Sequence, residues 1–299
     1  MKSGQMIDHL LEEFAELEPW GLHALLLLCR RNQVDFDLEQ SVRIDRSGVF
    51  PKRLLISFDS IDYHRALADD PFLPYARMQM PHGKLLQLQR FFSKAWRIHF
   101  GWELGPRGWI GKSYLEMQPR VSDKQMHPCQ SLDPDQLLFL GYKWPLEGDD
   151  LSVVTKYNIL SHSPAKEAIR RWEECLAKLS DQYKTMEFKN LTNLLINCDT
   201  TSEPLLVLDV CDEGSTRISY DINLYDLEQT VDTIRGPFGE VLFQTFGGAV
   251  LQDSTSYLSS IAAKRLGHLA SGIDRNGFVF WTLYYGAIRA ITQHPQSPT

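Results

Sequence analysis

The 299 residues contain no CxxC pair: five cysteines stand singly at 29, 129, 175, 198 and 211, and an odd number cannot close completely into disulfides. A reducing, cytoplasmic setting fits that usage. Positive charge is not in excess, because 31 Lys and Arg against 38 Asp and Glu leave a net charge of -7. With no basic stripe to neutralise phosphates, non-specific nucleic-acid binding is disfavoured. The apolar run Leu25 to Leu28 is far too short to span a bilayer, and the acidic, amphipathic N-terminus lacks the regions of a signal peptide. A P-loop, a Rossmann glycine fingerprint and a GxSxG motif are all missing, which removes the common nucleotide and hydrolase classes.

What is present is a repeat. Helical spacing runs through roughly 5 to 31, 62 to 94, 164 to 197 and 226 to 263. Between these stretches lie five pairs of short alternating segments, at 42 to 58, 96 to 117, 137 to 160, 205 to 225 and 265 to 286. Each reads as strand, turn, strand. Arg46-Ser47-Gly48, Gly105-Pro106-Arg107-Gly108, Asp212-Glu213-Gly214-Ser215 and Asp274-Arg275-Asn276-Gly277 supply the residues tight hairpins need, and Glu147-Gly148-Asp149-Asp150 does so more weakly. No low-complexity linker interrupts the pattern, so a single domain over residues 1–299 with internal repetition is expected.

The strands have two distinct faces. Trp96, Ile98, Phe100 and Trp102 alternate with Arg97, His99, Gly101 and Glu103; Ile218, Tyr220, Ile222 and Leu224 alternate with Arg217, Ser219, Asp221, Asn223 and Tyr225. Amphipathic helices need an apolar sheet face to cover, so they take the first face and the polar face turns away from them. That face is either the wet side of an open sheet or the lining of a closed barrel. Ten consecutive strands leave long edges unless closed, and closure at that size leaves a lumen wide enough for a ligand. The expected fold is α+β: a ten-stranded antiparallel barrel of five helix-flanked hairpins, with the helices outside.

A polar residue, one spacer and a tyrosine recur on the second strands: Lys112-Ser113-Tyr114, Thr155-Lys156-Tyr157, Asn223-Leu224-Tyr225 and Thr282-Leu283-Tyr284. Residues two apart share a face, so a barrel stacks cations and polar groups in one layer and phenol rings in the next. Arg and Lys hold a departing diphosphate, while aromatic faces stabilise an allylic carbocation and shield it from water.

With these features the sequence resembles the aromatic prenyltransferases of the ABBA type, and most of all the cyanobactin (ribosomal peptide) prenyltransferases. The resemblance rests on Leu38-Glu39-Gln40-Ser41-Val42-Arg43-Ile44, on Lys52-Arg53-Leu54-Leu55-Ile56-Ser57-Phe58, on Lys112-Ser113-Tyr114-Leu115-Glu116-Met117 and on Thr282-Leu283-Tyr284-Tyr285. It implies transfer of a dimethylallyl or geranyl group from its diphosphate to a Tyr, Trp, His or Arg side chain of a peptide, in natural-product biosynthesis. It implies Glu39 as the carboxylate that takes the acceptor's proton. Arg53 and Lys112 would bind diphosphate, with Arg217 as an addition, and Tyr114, Tyr157, Tyr225 and Tyr284 would form the shield; Lys143, in Gly141-Tyr142-Lys143-Trp144, is either a further diphosphate ligand or a surface lysine. His99 and His268 alternate into lumen positions and are expected as polar lining, since no paired metal-ligand spacing occurs, with Asn223 and Thr282 as further lining. The DDxxD cluster of terpene-type enzymes is absent, so magnesium is expected to be held mainly through the diphosphate. A small indole or phenolic acceptor, and a binding barrel without turnover, stay open as alternatives.

Overall fold

The computed structural model describes residues 3–117, 137–147, 152–199 and 203–290. Among these, the helices are α1 (Ser3–Glu13), α2 (Leu22–Asn32), α3 (Ser60–Ala66), α4 (Leu73–Arg77), α5 (His82–Phe92), α6 (Ala165–Leu179), α7 (Met186–Asn197), α8 (Val231–Phe246) and α9 (Gly248–Ser260). The strands are β1 (Phe36–Asp45), β2 (Gly48–Phe50), β3 (Arg53–Asp59), β4 (Ala95–Gly105), β5 (Gly108–Met117), β6 (Leu137–Pro145), β7 (Val153–Pro164), β8 (Pro204–Asp212), β9 (Ile218–Asn223), β10 (Leu266–Ile273) and β11 (Val279–Ala290).

Every pairing is antiparallel and joins sequence neighbours, except that β1 also pairs with β3 past the short β2 and that β11 returns to pair with β1 from Phe36↔Ala290 to Asp45↔Phe280. That last ladder closes the sheet. The three-residue β2 pairs with β1 alone, so the ring itself has ten strands. Closure satisfies every strand edge within the barrel, which removes the template for edge-to-edge association. The hairpin glycines Gly48, Gly108, Gly214 and Gly277 take φ of 135°, 108°, 69° and 80°, as the turn chemistry requires. The Gly148-Asp149-Asp150 turn lies outside the described residues.

The helices cover the apolar face as the alternation predicts. In α6, Ala165, Ala168, Ile169, Trp172, Cys175 and Leu176 recur at helical spacing and are all buried. The Trp172 indole donates to the Tyr220 carbonyl of β9 at 3.2 Å, pinning that face to the barrel. At the start of α7, the Thr185 hydroxyl caps the helix by accepting from the Phe188 N–H at 3.3 Å. Two large clusters result: α1 to α5 pack outside β1, β3, β4, β5 and β6, and α6 to α9 outside β8 to β11 and the end of β1.

Several boundaries differ from the sequence expectation. The first strand begins at Phe36 rather than at 42, so Glu39 already sits in it. The 62 to 94 stretch breaks into three helices at Leu67 and Met78, because Pro71, Pro74 and Pro81 remove backbone donors. The last strand runs to Ala290, past the expected end of the fifth pair at 286, and 291–299 lie outside the described residues. No described helix is long and apolar enough to cross a membrane.

Candidate active site

The inward face carries the polar set. A cavity of about 890 Å³ opens among the hairpin turns and is lined by Arg53, Lys112, Lys143 and Arg217 together with Tyr114, Tyr157, Thr282 and Tyr284. Alternation explains the grouping: Leu54, Ile56 and Phe58 face the helices, which turns Arg53 inward, and Ser113 faces Tyr75 of α4, which turns Lys112 and Tyr114 inward. Lys143, whose facing the sequence left open, is inward because its neighbours Tyr142 and Trp144 fill the helix side. Lys156, by contrast, points away from the lumen and pairs with Glu213 at 2.9 Å near the surface.

Arg53 is 8% exposed, and its Nε and Nη1 have no hydrogen-bond partner. Its Nη2 lies 3.3 Å from Glu103 Oε2, and Lys112 Nζ bonds the same oxygen. Burial works against the charge of all three. For Arg53, Glu103 together with Tyr284, Tyr114 and Tyr157 outweighs it, and the two cations hold Glu103 below its ordinary range. Lys112 is pushed down to about 8 by burial and by Arg53, in spite of Glu103. Lys143 falls well below its ordinary value, through burial first and then repulsion by Arg217. On the opposite wall, Asp212 accepts from Thr155 Oγ1 at 2.6 Å, Arg217 Nη1 at 3.1 Å and Arg275 Nη2 at 2.6 Å; against burial, Lys143 first, then Arg217, the Thr155 bond and Arg275 bring its carboxyl down to about 2. The Arg43 and Arg217 guanidiniums stand over the Phe280 ring at 4.3 and 5.4 Å.

Below the cations lie the rings. Tyr114 and Tyr157 meet edge-on at 5.7 Å, and Phe139 packs 5.8 Å from Tyr157. Gly141 makes the room, since a Cβ there would stand 2.9 Å from Tyr114 Cδ1. An apolar wall of Leu138, Ile159, Leu208 and Val210 adjoins Tyr157. Burial raises the hydroxyls of Tyr114, Tyr157 and Tyr284, so all three stay neutral phenols near pH 7.

Neither Glu39 nor His99, both expected in the lumen, is among the residues that line this cavity. Glu39 Oε2 accepts from the Tyr225 hydroxyl at 2.7 Å. Burial raises its carboxyl, while His268 and the Tyr225 hydrogen bond pull it back down. His268 bonds Asp221 at 2.9 Å and packs 5.3 Å from Tyr225 and 5.5 Å from Tyr284; although burial opposes its charge, Asp221 raises it to about 9. The imidazolium is therefore charged at neutral pH. His99 is held between Ser57 Oγ at 2.7 Å and Glu116 Oε2 at 3.1 Å, beside Tyr114.

Two sequence expectations change place. Tyr225 is not a strand residue: β9 ends at Asn223, and Tyr225 opens a 3₁₀ turn that the Asn223 side chain caps by accepting the Tyr225 N–H at 3.0 Å. Tyr225, like Glu39, is absent from the cavity lining; it donates to Glu39 and is fitted against Gly267, where a Cβ would lie 2.6 Å from its hydroxyl. Asn223 thus supports that turn rather than lining the cavity. The alternation had placed Glu103 and Asp221 inward without giving them a role; His268 was read as lining only, and Asp212 as part of a turn. Their shared signal is an acid or histidine on a strand's cationic face, which alternation exposes but cannot pair.

Tyr225→Phe removes one donor to Glu39. A hydrogen bond to the ionised form lowers a carboxyl pKa, so its loss raises that of Glu39. Infrared or NMR titration of the folded protein should show the Glu39 carboxyl moving upward by about one to two units, because a charge-assisted bond is worth about 1.5–3 kcal/mol and one unit is about 1.4 kcal/mol.

No protein-family profile matches the chain, and no curated protein does. Solved structures do match in fold. The chain is 14% identical to 5-dimethylallyltryptophan synthase from Streptomyces coelicolor, with 83% of this chain and 80% of that one covered at a TM-score of 0.53. It is 14% identical to the apo form of the prenyltransferase PriB, covering 83% and 79% at 0.53. Against 6-dimethylallyltryptophan synthase from Micromonospora olivasterospora, solved with DMASPP and Trp, identity is 12%, coverage 83% and 81%, and the TM-score 0.50. The architecture is thus the barrel of the ABBA-type aromatic prenyltransferases, ten antiparallel strands with helices outside.

Proposed function

We propose that the barrel transfers a dimethylallyl or geranyl group from its diphosphate to an electron-rich acceptor. One observation carries this reading: a buried guanidinium, Arg53, keeps two donor nitrogens unpaired in a lumen where Lys112, Lys143 and Arg217 share the lining with three tyrosines. Buried donors without partners are costly, and an anion that accepts from them recovers that cost.

In this reading the cations hold the diphosphate, and the allylic C–O bond breaks with its electron pair leaving on the diphosphate oxygen. Tyr114, Tyr157 and Tyr284 surround the cation; presenting ring faces rather than hydroxyls spares them alkylation. The acceptor's nucleophilic atom forms the new bond to the allylic carbon, and its proton passes to Glu39. Two of the fold neighbours named above are dimethylallyltryptophan synthases, whereas the sequence resemblance points to a cyanobactin-type peptide, and we assign the peptide as acceptor.

Incubation with dimethylallyl or geranyl diphosphate and a panel of cyclic peptides, free tryptophan and simple phenols, followed by mass measurement, tests this. Added prenyl mass on a peptide supports it. Product only on free tryptophan or a phenol moves the acceptor to a small metabolite, and tight diphosphate binding without any product leaves a binding barrel.

Magnesium belongs to this reading as a counterion carried by the diphosphate. The described residues hold no group of three His, Cys, Asp or Glu side chains placed for a metal, and Glu103 and Asp212 are already engaged by cations. Chelation by EDTA is expected to raise KM for the prenyl diphosphate several-fold and to leave measurable kcat.

The depressed lysines give a second check. An anion favours their charged forms, so binding takes up protons at pH 8–9, above the range in which the diphosphate itself titrates. Calorimetry in two buffers of different ionisation enthalpy should show uptake, and affinity should fall as pH rises through the lysines' bound-state values.

A further inference from the structure

Glu103 places a negative charge where an anion is to bind, and that placement by itself weakens the anion's binding. Its side chain is 12% exposed, between Arg53 and Lys112 at 9% each, and one oxygen, Oε2, serves both cations. The opposite wall repeats the device: Asp212, fully buried, engages Arg217 and Arg275. Glu103 occupies only one edge of the Arg53 guanidinium, because Nε and Nη1 stay unpaired. Without a carboxylate, Arg53 and Lys112 would face each other as like charges in a water-poor lumen, which costs both their repulsion and their desolvation.

We propose that Glu103 is the internal counter-anion of the diphosphate site. Its carboxylate holds Arg53 and Lys112 in place in the empty barrel, gives up shared N–H donors when the diphosphate arrives, and recaptures them as the product diphosphate leaves. The inference rests on the diphosphate reading above and adds a positioning residue to it. The balance it sets is reciprocal: whatever Glu103 contributes to the empty barrel is subtracted from diphosphate affinity. Strong cations alone would trap the product, and a resident carboxylate makes its release easier.

The probe is inorganic pyrophosphate, titrated calorimetrically at pH 8 in two buffers into the wild type, Glu103→Gln and Glu103→Asp. Glu103→Gln should bind pyrophosphate at least tenfold more tightly, because the site's resident negative charge is gone. Its melting temperature should fall when empty and recover in saturating pyrophosphate. In turnover, KM for the prenyl diphosphate and kcat should fall together, as product release slows. Glu103→Asp, whose shorter carboxylate reaches the cations less well, should shift affinity the same way by a smaller factor.

A purely structural role predicts weaker pyrophosphate binding from a damaged site. Unchanged or weaker binding in Glu103→Asp, or in a folded Glu103→Gln, overturns the proposal. So does a Glu103→Gln chain that saturating pyrophosphate fails to fold. Absence of pyrophosphate binding by the wild type is a different result, and it overturns the diphosphate reading itself.

Discussion

Glu39→Gln is expected to lower kcat by about 10²–10⁴-fold, the usual contribution of a positioned general base, while pyrophosphate affinity stays within about twofold. The change keeps the shape and hydrogen-bonding capacity of the side chain, so Tyr225 still has an acceptor and the turn that carries it is preserved. What is lost is the ability to take a proton. Because burial raises the Glu39 carboxyl, wild-type activity should decline with falling pH above the ordinary carboxylate range of about 4.3. The Gln variant's residual activity should lack that limb. Single-turnover rates and pyrophosphate titrations of both proteins measure the two halves of this statement. A parallel collapse of rate and affinity would assign Glu39 to the fold instead of to proton transfer.

Arg53→Met is expected to do the opposite: KM for the prenyl diphosphate and Kd for pyrophosphate rise by about a hundredfold or more, with a smaller fall in kcat at saturation. Two unpaired donors facing an anion make charge-assisted bonds worth about 1.5–3 kcal/mol each, and 1.4 kcal/mol is a factor of ten. Methionine fills much of the arginine stem's volume. Glu103 keeps Lys112 as its partner, so the carboxylate is not stranded. Steady-state kinetics with varied donor concentration, beside a thermal melt to confirm folding, separates lost binding from lost structure.

These two residues also show how far the sequence reaches. Arg53 is placed inward by its own neighbours, because Leu54, Ile56 and Phe58 need the helix layer. Lys112 with Tyr114 follows from the same rule, as do Arg217 and the Thr282–Tyr284 pair. Tyr225 shows the rule's limit. The spacing Asn223-Leu224-Tyr225 matches the other motifs, yet the strand stops at Asn223 and the ring reaches Glu39 from a turn. A two-residue period holds only while the backbone stays extended, and β9 has six residues in which to hold it.

The sequence by itself determined the hairpins, through glycine-bearing turns and alternation, and, outside the third hairpin, which face the strands turn to the helices. Periodicity is a local property, so local chemistry settles it. Only the tertiary structure decided that the sheet closes, through the β1–β11 ladder, and which inward groups meet. Glu39 and Tyr225 stand 186 residues apart and bond at 2.7 Å. Glu103 bridges Arg53 and Lys112, and Asp212 gathers Thr155, Arg217 and Arg275, from separate strands and turns. Such meetings depend on how the ten strands are staggered around the ring, which long-range register sets and no single segment encodes. The cations and rings of the lumen were therefore legible one strand at a time, whereas the carboxylates that govern their charge became visible only once the barrel was closed.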